Sequence, residues 1–304
     1  MIAITGITGR TGKVFLKKIS DNCHLFKNTK IRTIVRSTSN INALKDCKLP
    51  LDVIEGNLRN LNFLKESFKN VKTVLHIAGI DKSLNVIKAA IEANVDWVIL
   101  VHTTGIYSKY KSASSEYINI EKEIEQLNKT KKLKVTILRP TMIYGSMLDQ
   151  NISIFIKMVD RLKIFPVVSK GEFLLQPVHF EDLGNAYFQV LVNEKITKGK
   201  NYILSGKSPI LLIDILREIE ALLSKKNYYI SVPFALAYFF SILIFYVTFK
   251  KVDYREKVQR LVENRSYPSA EAVTDFGYSP REFSVGIKSE VCEYQAFLRK
   301  KESG

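Results

Sequence analysis

Through the first half of the chain, short apolar runs alternate with stretches whose apolar residues recur at helical spacing. Ile2–Thr5, Ile31–Val35, Asp52–Ile54, Thr73–Ile77, Trp97–Val101 and Val135–Leu138 read as strands. Between them, Gly12–Ile19, Leu61–Phe68, Ser83–Ala93 and Ile118–Asn128 read as helices. Most of these strands are apolar at successive positions and do not alternate, so both of their faces must be covered. That pattern predicts an α/β fold with a doubly wound parallel sheet. Right-handed crossovers place helices on both faces and ligands at the carboxyl ends of the strands.

After Gly145 the pattern loosens. Ile152, Phe155, Ile156, Val159 and Leu162 mark an amphipathic helix, and Leu211–Leu223 and Val285–Leu298 two more. Pro166, Pro177, Pro209, Pro233, Pro268 and Pro280 cut the remainder into short pieces. The expected division is a nucleotide-binding domain over 1–145 and a smaller lobe over 146–304, with some of its segments returning to the first sheet. No internal repeat is visible.

One apolar run stands apart. Tyr228–Phe249 carries no charge over 22 residues and is bracketed by Lys225-Lys226 and Lys250-Lys251. Three readings are open: the wall of a substrate pocket, a segment dipping into a membrane surface, or a span. Pro233, and a following stretch that resembles more of the same fold, weigh against the span.

Composition narrows the class. The 304 residues are 46% hydrophobic and 25% charged, which excludes disordered and low-complexity chains. Lys and Arg exceed Asp and Glu by 46 to 30, a net charge of +16 that favours anionic partners. No nucleic-acid-binding module is recognisable, so the expected partner is a small molecule, with membrane-surface contact through 228–249 as a further expectation. Three scattered cysteines form no disulfide framework, and no histidine pair has metal-ligand spacing, so no metal is expected. A cytoplasmic location is the expectation, since no secretory leader is read before the first strand.

The first strand runs straight into Thr5-Gly6-Ile7-Thr8-Gly9-Arg10-Thr11-Gly12. Gly6 permits a tight turn, Gly9 lets backbone N–H groups approach a pyrophosphate, and Gly12 lets helix and strand pack closely. Thr8, Arg10 and Thr11 share the loop and are candidate cofactor contacts. The spacing is one residue longer than G-x-G-x-x-G. The second strand ends at Arg36, with Arg32 nearby and no acid, which favours the 2′-phosphate of NADP over the 2′-hydroxyl of NAD.

The segments TGITGRTG, LHIAG, VHTTGIY, LRPTMIYG and QPVHFEDL together resemble the extended or atypical short-chain dehydrogenase/reductase superfamily, in its NAD-dependent epimerase/dehydratase or NmrA-like branch. The resemblance runs from Ile2 to about Tyr294 and implies a Rossmann fold. It implies that Ala78 and Gly79 lie against the cofactor and that Asn57 and Leu58 meet the adenine, Asn57 replacing an acid. It makes Thr103 the hydroxyl that polarises the substrate oxygen, with Thr104 beside it. It makes Tyr117 the acid/base tyrosine, and it puts Arg139 and Tyr144 in the substrate cleft. A homodimer is a further family expectation.

The resemblance also demands a lysine four residues after the tyrosine, and Glu121 stands there. A carboxylate at that place opposes ionisation of the phenol. In one reading Lys122 takes the lysine's role through a local irregularity, although it projects about 100° round the helix. Alternatively the register differs, with the Tyr107–Lys111 string taking part, or the redox chemistry is altered or absent. His179 and Asp182 read as structural, Asp182 as a helix cap. The expected function is an NAD(P)-dependent epimerase, dehydratase or reductase acting on a nucleotide sugar or a related hydroxyl or carbonyl compound. The alternative is a non-catalytic NADP(H)-binding sensor or assembly factor of the NmrA-like kind.

Overall fold

The computed structural model describes residues 1–110, 114–130 and 133–302. Lys111, and with it the Tyr107–Lys111 string, lies outside the described residues. Six strands follow one another through the first half: β1 (Ile2–Thr5), β2 (Ile31–Val35), β3 (Leu51–Glu55), β4 (Thr73–His76), β5 (Trp97–Val101) and β6 (Lys134–Pro140). The helices between them are α1 (Arg10–Asp21), α2 (Asn42–Lys45), α3 (Leu61–Ser67), α4 (Ser83–Glu92) and α5 (Ser115–Thr130). A later strand, Asn201–Leu204, pairs in parallel with β6, so the seven-stranded sheet runs Asn201–Leu204, β6, β5, β4, β1, β2, β3. Chain order reverses between β1 and β4, and the crevice above that point is where such sheets take ligands.

The apolar strands are buried because helices cover both faces. Phe15, Leu16 and Ile19 of α1 pack on one face with Leu183 and Tyr187 of the later helix Phe180–Val192. Leu64, Val86, Ile87 and Ile124 of α3, α4 and α5 cover the other. The helix Phe180–Val192 and the segment Ala270–Phe276 come from beyond residue 145 but complete the first core, where Phe276 meets Tyr202 edge-on at 5.1 Å. A third core joins Ile152, Ile156 and Val159 with Ile215, Leu216 and Ile287 in the second lobe.

The run 228–249 departs from the expectation of a pocket wall. Tyr228–Val232 forms a parallel strand pair with Ile164–Val168, and Phe234–Val247 is a helix of which only Ser241 is buried. Among the described residues, no helix is long and apolar enough to cross a membrane. Asp182 does not cap its helix. His179 does, its ring Nδ1 accepting from the Glu181 N–H at 3.3 Å, while Asp182 accepts from the backbone and guanidinium of Arg281.

Candidate functional site

The glycine loop closes over the carboxyl end of β1. Gly6 sits at φ +77°, and a Cβ there would stand 2.6 Å from the Ala78 nitrogen. Gly9 is the residue before α1 and donates its N–H to the Gly6 carbonyl at 3.0 Å. A Cβ on Gly12 would collide with the Gly6 carbonyl and come within 2.6 Å of Ile7 Cα, so Gly12 lets the helix approach the strand. The first turn of α1 carries no acidic side chain, which leaves its unpaired N–H groups facing an anion without competition.

A groove of about 300 Å³ opens at this loop. Gly6, Thr8, Gly9 and Thr11 form one side, and Arg36, Asn57, Leu58, Ala78 and Gly79 line the rest with Lys82 and Ser39. Among the described residues no carboxylate lines it, and Lys82 is held from behind by Asp81 at 2.7 Å. Arg36 lies exposed at the end of β2, its N–H on the Ser39 hydroxyl. Arg32 is engaged elsewhere, by Asp52 at 2.7 Å and by the Ser67 carbonyl. Asn57 Oδ1 accepts from the Arg59 N–H at 2.9 Å, which leaves its Nδ2 to meet a base. His76, beneath the groove, is buried between Thr5 and Gly79, and burial pushes its pKa down to about 3, so it is a neutral structural group.

Two expected cofactor residues sit differently. Gly12 is packed and does not line the groove. Arg10 lines the adjoining cavity instead of the groove, because its place at the start of α1 carries it to the far side of the loop. Thr11 lines both spaces, so groove and cavity meet there.

The cavity measures about 890 Å³ and lies between the carboxyl ends of β5 and β6 and the second lobe. Thr103, Thr104 and His102 line it. Thr103 caps a short helical turn with Oγ1 accepting the Gly105 N–H at 3.0 Å, which leaves its hydroxyl proton free to donate. The Thr104 hydroxyl donates to the Pro140 carbonyl. Across the cavity stand Arg10, Lys257, Arg260 and Arg265; Asp149 is the one acid among the described lining residues, and Arg260 Nη1 also lies 3.8 Å from Glu256 Oε1 behind the wall. Buried nitrogens of three of these arginines, Arg10 Nη1, Arg260 Nε and Arg265 Nε, have no hydrogen-bond partner among the described residues. Burial, and then the charge of Arg260, pull the Arg265 pKa below its ordinary value. Such a cluster favours an anion, which would neutralise the charges.

The helix α5 is arranged differently from the resemblance. Glu121 turns inward: Arg139 Nη2 donates to its Oε2 at 2.6 Å, and His102 Nδ1 lies 2.8 Å from Oε1. His102 Nε2 lies 3.0 Å from the Ser83 hydroxyl. Burial raises the Glu121 pKa, but the bonds from His102 and Arg139 outweigh it and hold the carboxyl below its ordinary value. Tyr117 is half-buried against the core under α4 and α5 and lines neither space. Lys122 is exposed on the outer face of α5, because the residue that follows an inward Glu121 is carried round the helix toward solvent.

Both substrate residues drawn from LRPTMIYG need correction. Arg139 is spent on Glu121 and lies outside the 890 Å³ cavity, facing a second space of about 470 Å³ beside Tyr107. Tyr144 is 1% exposed, wedged between His179 and Phe283, with its hydroxyl 3.5 Å from the Phe283 carbonyl. The second lobe closes over it. Lys257, Arg260 and Arg265 escape sequence reasoning because they belong to no motif and reach the cavity only through the fold.

Residues 6–152 match the NAD(P)H-binding family model. No curated protein matches the chain in sequence. Among solved structures, the protein named gox2253 shares 18% identity at a TM-score of 0.75, with 98% of each chain covered. UDP-glucose 4-epimerase from Thermotoga maritima, solved with UDP-glucose, shares 16% at a TM-score of 0.70 over 98% of this chain and 99% of that one. The dTDP-glucose 4,6-dehydratase DesIV from Streptomyces venezuelae, solved with NAD and TYD, shares 17% at 0.69 over 97% of both chains. At these identities the likeness is one of fold, and with the family match it agrees with the superfamily that the motifs point to.

Proposed function

We propose, from the premise that residues 6–152 are an NAD(P)H-binding domain within an epimerase/dehydratase-type fold, that this chain is an NADP-dependent enzyme acting on a phosphate-bearing sugar, a nucleotide sugar foremost. One observation carries the reading: a cavity lined by Arg10, Lys257, Arg260 and Arg265 adjoins the glycine-loop groove at Thr11. A diphosphate would meet the cationic side chains that line that cavity. Arg36, which lines the groove and pairs with no acid among the described residues, supports a 2′-phosphate and hence NADP, whereas Lys82 is held by Asp81 at 2.7 Å.

The residues fit a dinucleotide. Gly6, Gly9 and the start of α1 would hold its pyrophosphate, and Asn57 and Leu58 its adenine end. The bound nicotinamide supplies a reversible hydride acceptor. Thr103 orients the substrate oxygen, because its own oxygen is occupied by Gly105 and its proton is free. Tyr117 is the phenol that the family resemblance selects for proton transfer; it lines neither the groove nor the cavity, so its part in the reading rests on the resemblance alone.

A second reading, a cofactor-binding sensor without turnover, is favoured by Glu121. A carboxylate engaged by Arg139 and His102 stands where the resemblance requires a free ammonium. Titration with NADPH and NADH, followed by nicotinamide absorbance with a panel of UDP- and dTDP-sugars, separates the two. Turnover lost in both Thr103→Ala and Tyr117→Phe supports the enzyme. Tight NADPH binding without turnover of any panel member, unaltered in Tyr117→Phe, supports the sensor. If neither nucleotide binds, both readings fail.

A further inference from the structure

The helix Phe234–Val247 is apolar on every side and largely uncovered. Leu236, Phe239, Phe240, Leu243, Ile244, Tyr246 and Val247 are exposed, and Phe249 just beyond it is 87% exposed. The strand pair that leads into it adds exposed Tyr228, Ile230 and Ile164. An isolated exposed Leu or Phe is ordinary, whereas a contiguous patch of this kind marks an interaction surface.

Charge and length identify what covers it. Lys225, Lys226, Lys250 and Lys251 flank the run and are exposed, and no acidic residue occurs between Ser224 and Asp253. Fourteen helical residues span about 21 Å, short of the ~30 Å hydrocarbon thickness. The chain on both sides also belongs to one body. Lys225 pairs with Asp160 before the helix, and the Tyr278 hydroxyl donates to the Ser205 carbonyl after it. The helix therefore cannot cross a bilayer, but it can lie in one face with the lysines among the headgroups. A second copy fits less well. Pairing this helix with its symmetry mate would set two lysine clusters close together with no acid between them, and would leave the outer side of an all-round apolar helix in water.

We infer that Phe234–Val247, with Phe249 and the flanking lysines, docks the protein on an anionic lipid surface as a monotopic anchor. Docking has a consequence for the site. The next helix, Arg255–Leu261, packs on the apolar one, with the Arg255 guanidinium 3.8 Å from the Phe245 ring centroid. That same helix gives Lys257, Arg260 and Leu261 to the 890 Å³ cavity. The basic wall of the cavity is thus braced against the docked helix. The docking inference stands on exposure and charge, and holds or fails independently of the cofactor reading.

Full-length protein is sedimented with vesicles of phosphatidylcholine alone and with vesicles containing phosphatidylglycerol. The expected result is binding to the anionic vesicles that persists in part at about 1 M salt, where the Debye length is ~3 Å. Insertion is read with Phe240→Trp and brominated lipids. The single native tryptophan, Trp97, is 1% exposed in the core and reports the unquenched baseline. Quenching of the added indole is expected, and so is a loss of vesicle binding of about tenfold or more in the Phe239→Ser/Phe240→Ser/Leu243→Ser variant with its circular dichroism unchanged. Release by salt with no quenching overturns the inference. So does a dimer that binds no vesicles and becomes monomeric in the triple-serine variant.

Discussion

Arg139 and Glu121 form a buried, doubly contacted ion pair: Nη2 donates to Oε2 at 2.6 Å and Nε to Oε1 at 3.2 Å. Their side chains are 9% and 12% exposed. Removing one partner strands the other, so Glu121→Ala is expected to cost about 3–5 kcal/mol in denaturant unfolding. Glu121→Lys is expected to cost at least as much, because a cation is added beside Arg139, and it does not create a working tyrosine–lysine pair. The double replacement Glu121→Met/Arg139→Met should recover most of the loss.

The glycine loop tolerates no side chain where helix meets strand. In Gly12→Ala the new methyl meets the backbone of Gly6 and Ile7, which cannot rotate away. The expected penalty is about 1–3 kcal/mol, together with a loss of NADPH affinity beyond tenfold by titration. Unchanged affinity would remove the loop from the binding site.

Arg36 is the test of cofactor choice. Arg36→Glu is expected to weaken NADPH binding by about tenfold or more and leave NADH within about threefold, since only the former carries the 2′-phosphate. Equal losses for both would assign Arg36 to general electrostatics.

Stability should fall on both sides of a mid-pH maximum. Glu290 is 0% exposed and accepts the Gly145 N–H. Burial, reinforced by the carboxyl of Asp149, pushes its pKa up to about 9 from 4.5. Glu290 Oε1 and Asp149 Oδ2 are both buried without another partner among the described residues, which a shared proton explains. The folded chain keeps that proton where the unfolded chain has lost it, so this contribution declines as pH rises from about 4.5 to about 9. His76 acts oppositely: burial holds it neutral down to about 3 against 6.5 unfolded, so its contribution declines as pH falls through that window. Thermal melts across pH should show Glu290→Gln flattening the alkaline limb and leaving the acid limb in place.

Tyr144→Phe removes only a hydroxyl held at 3.5 Å inside the second lobe. Turnover and cofactor affinity should stay unchanged, and stability should move by less than about 1 kcal/mol. A large kinetic effect would return Tyr144 to the cleft.

The sequence by itself determined the alternation of strands and helices, the parallel sheet and the glycine turn, because each depends on local patterning: buried strands must be apolar throughout, and a phosphate loop must lack side chains at fixed spacings. The family resemblance pointed to Thr103, Asn57 and Ala78, which lie at or just past strand ends. Tertiary structure alone decided that Glu121 is matched by Arg139 and His102, three residues brought together from α5, β6 and the end of β5. It alone gathered Arg10, Lys257, Arg260 and Arg265 around one cavity, buried Tyr144 under Phe283, and left Phe234–Val247 uncovered. Hydrophobicity records what a side chain avoids, whereas the neighbour it meets is set by which distant segments the fold packs against it.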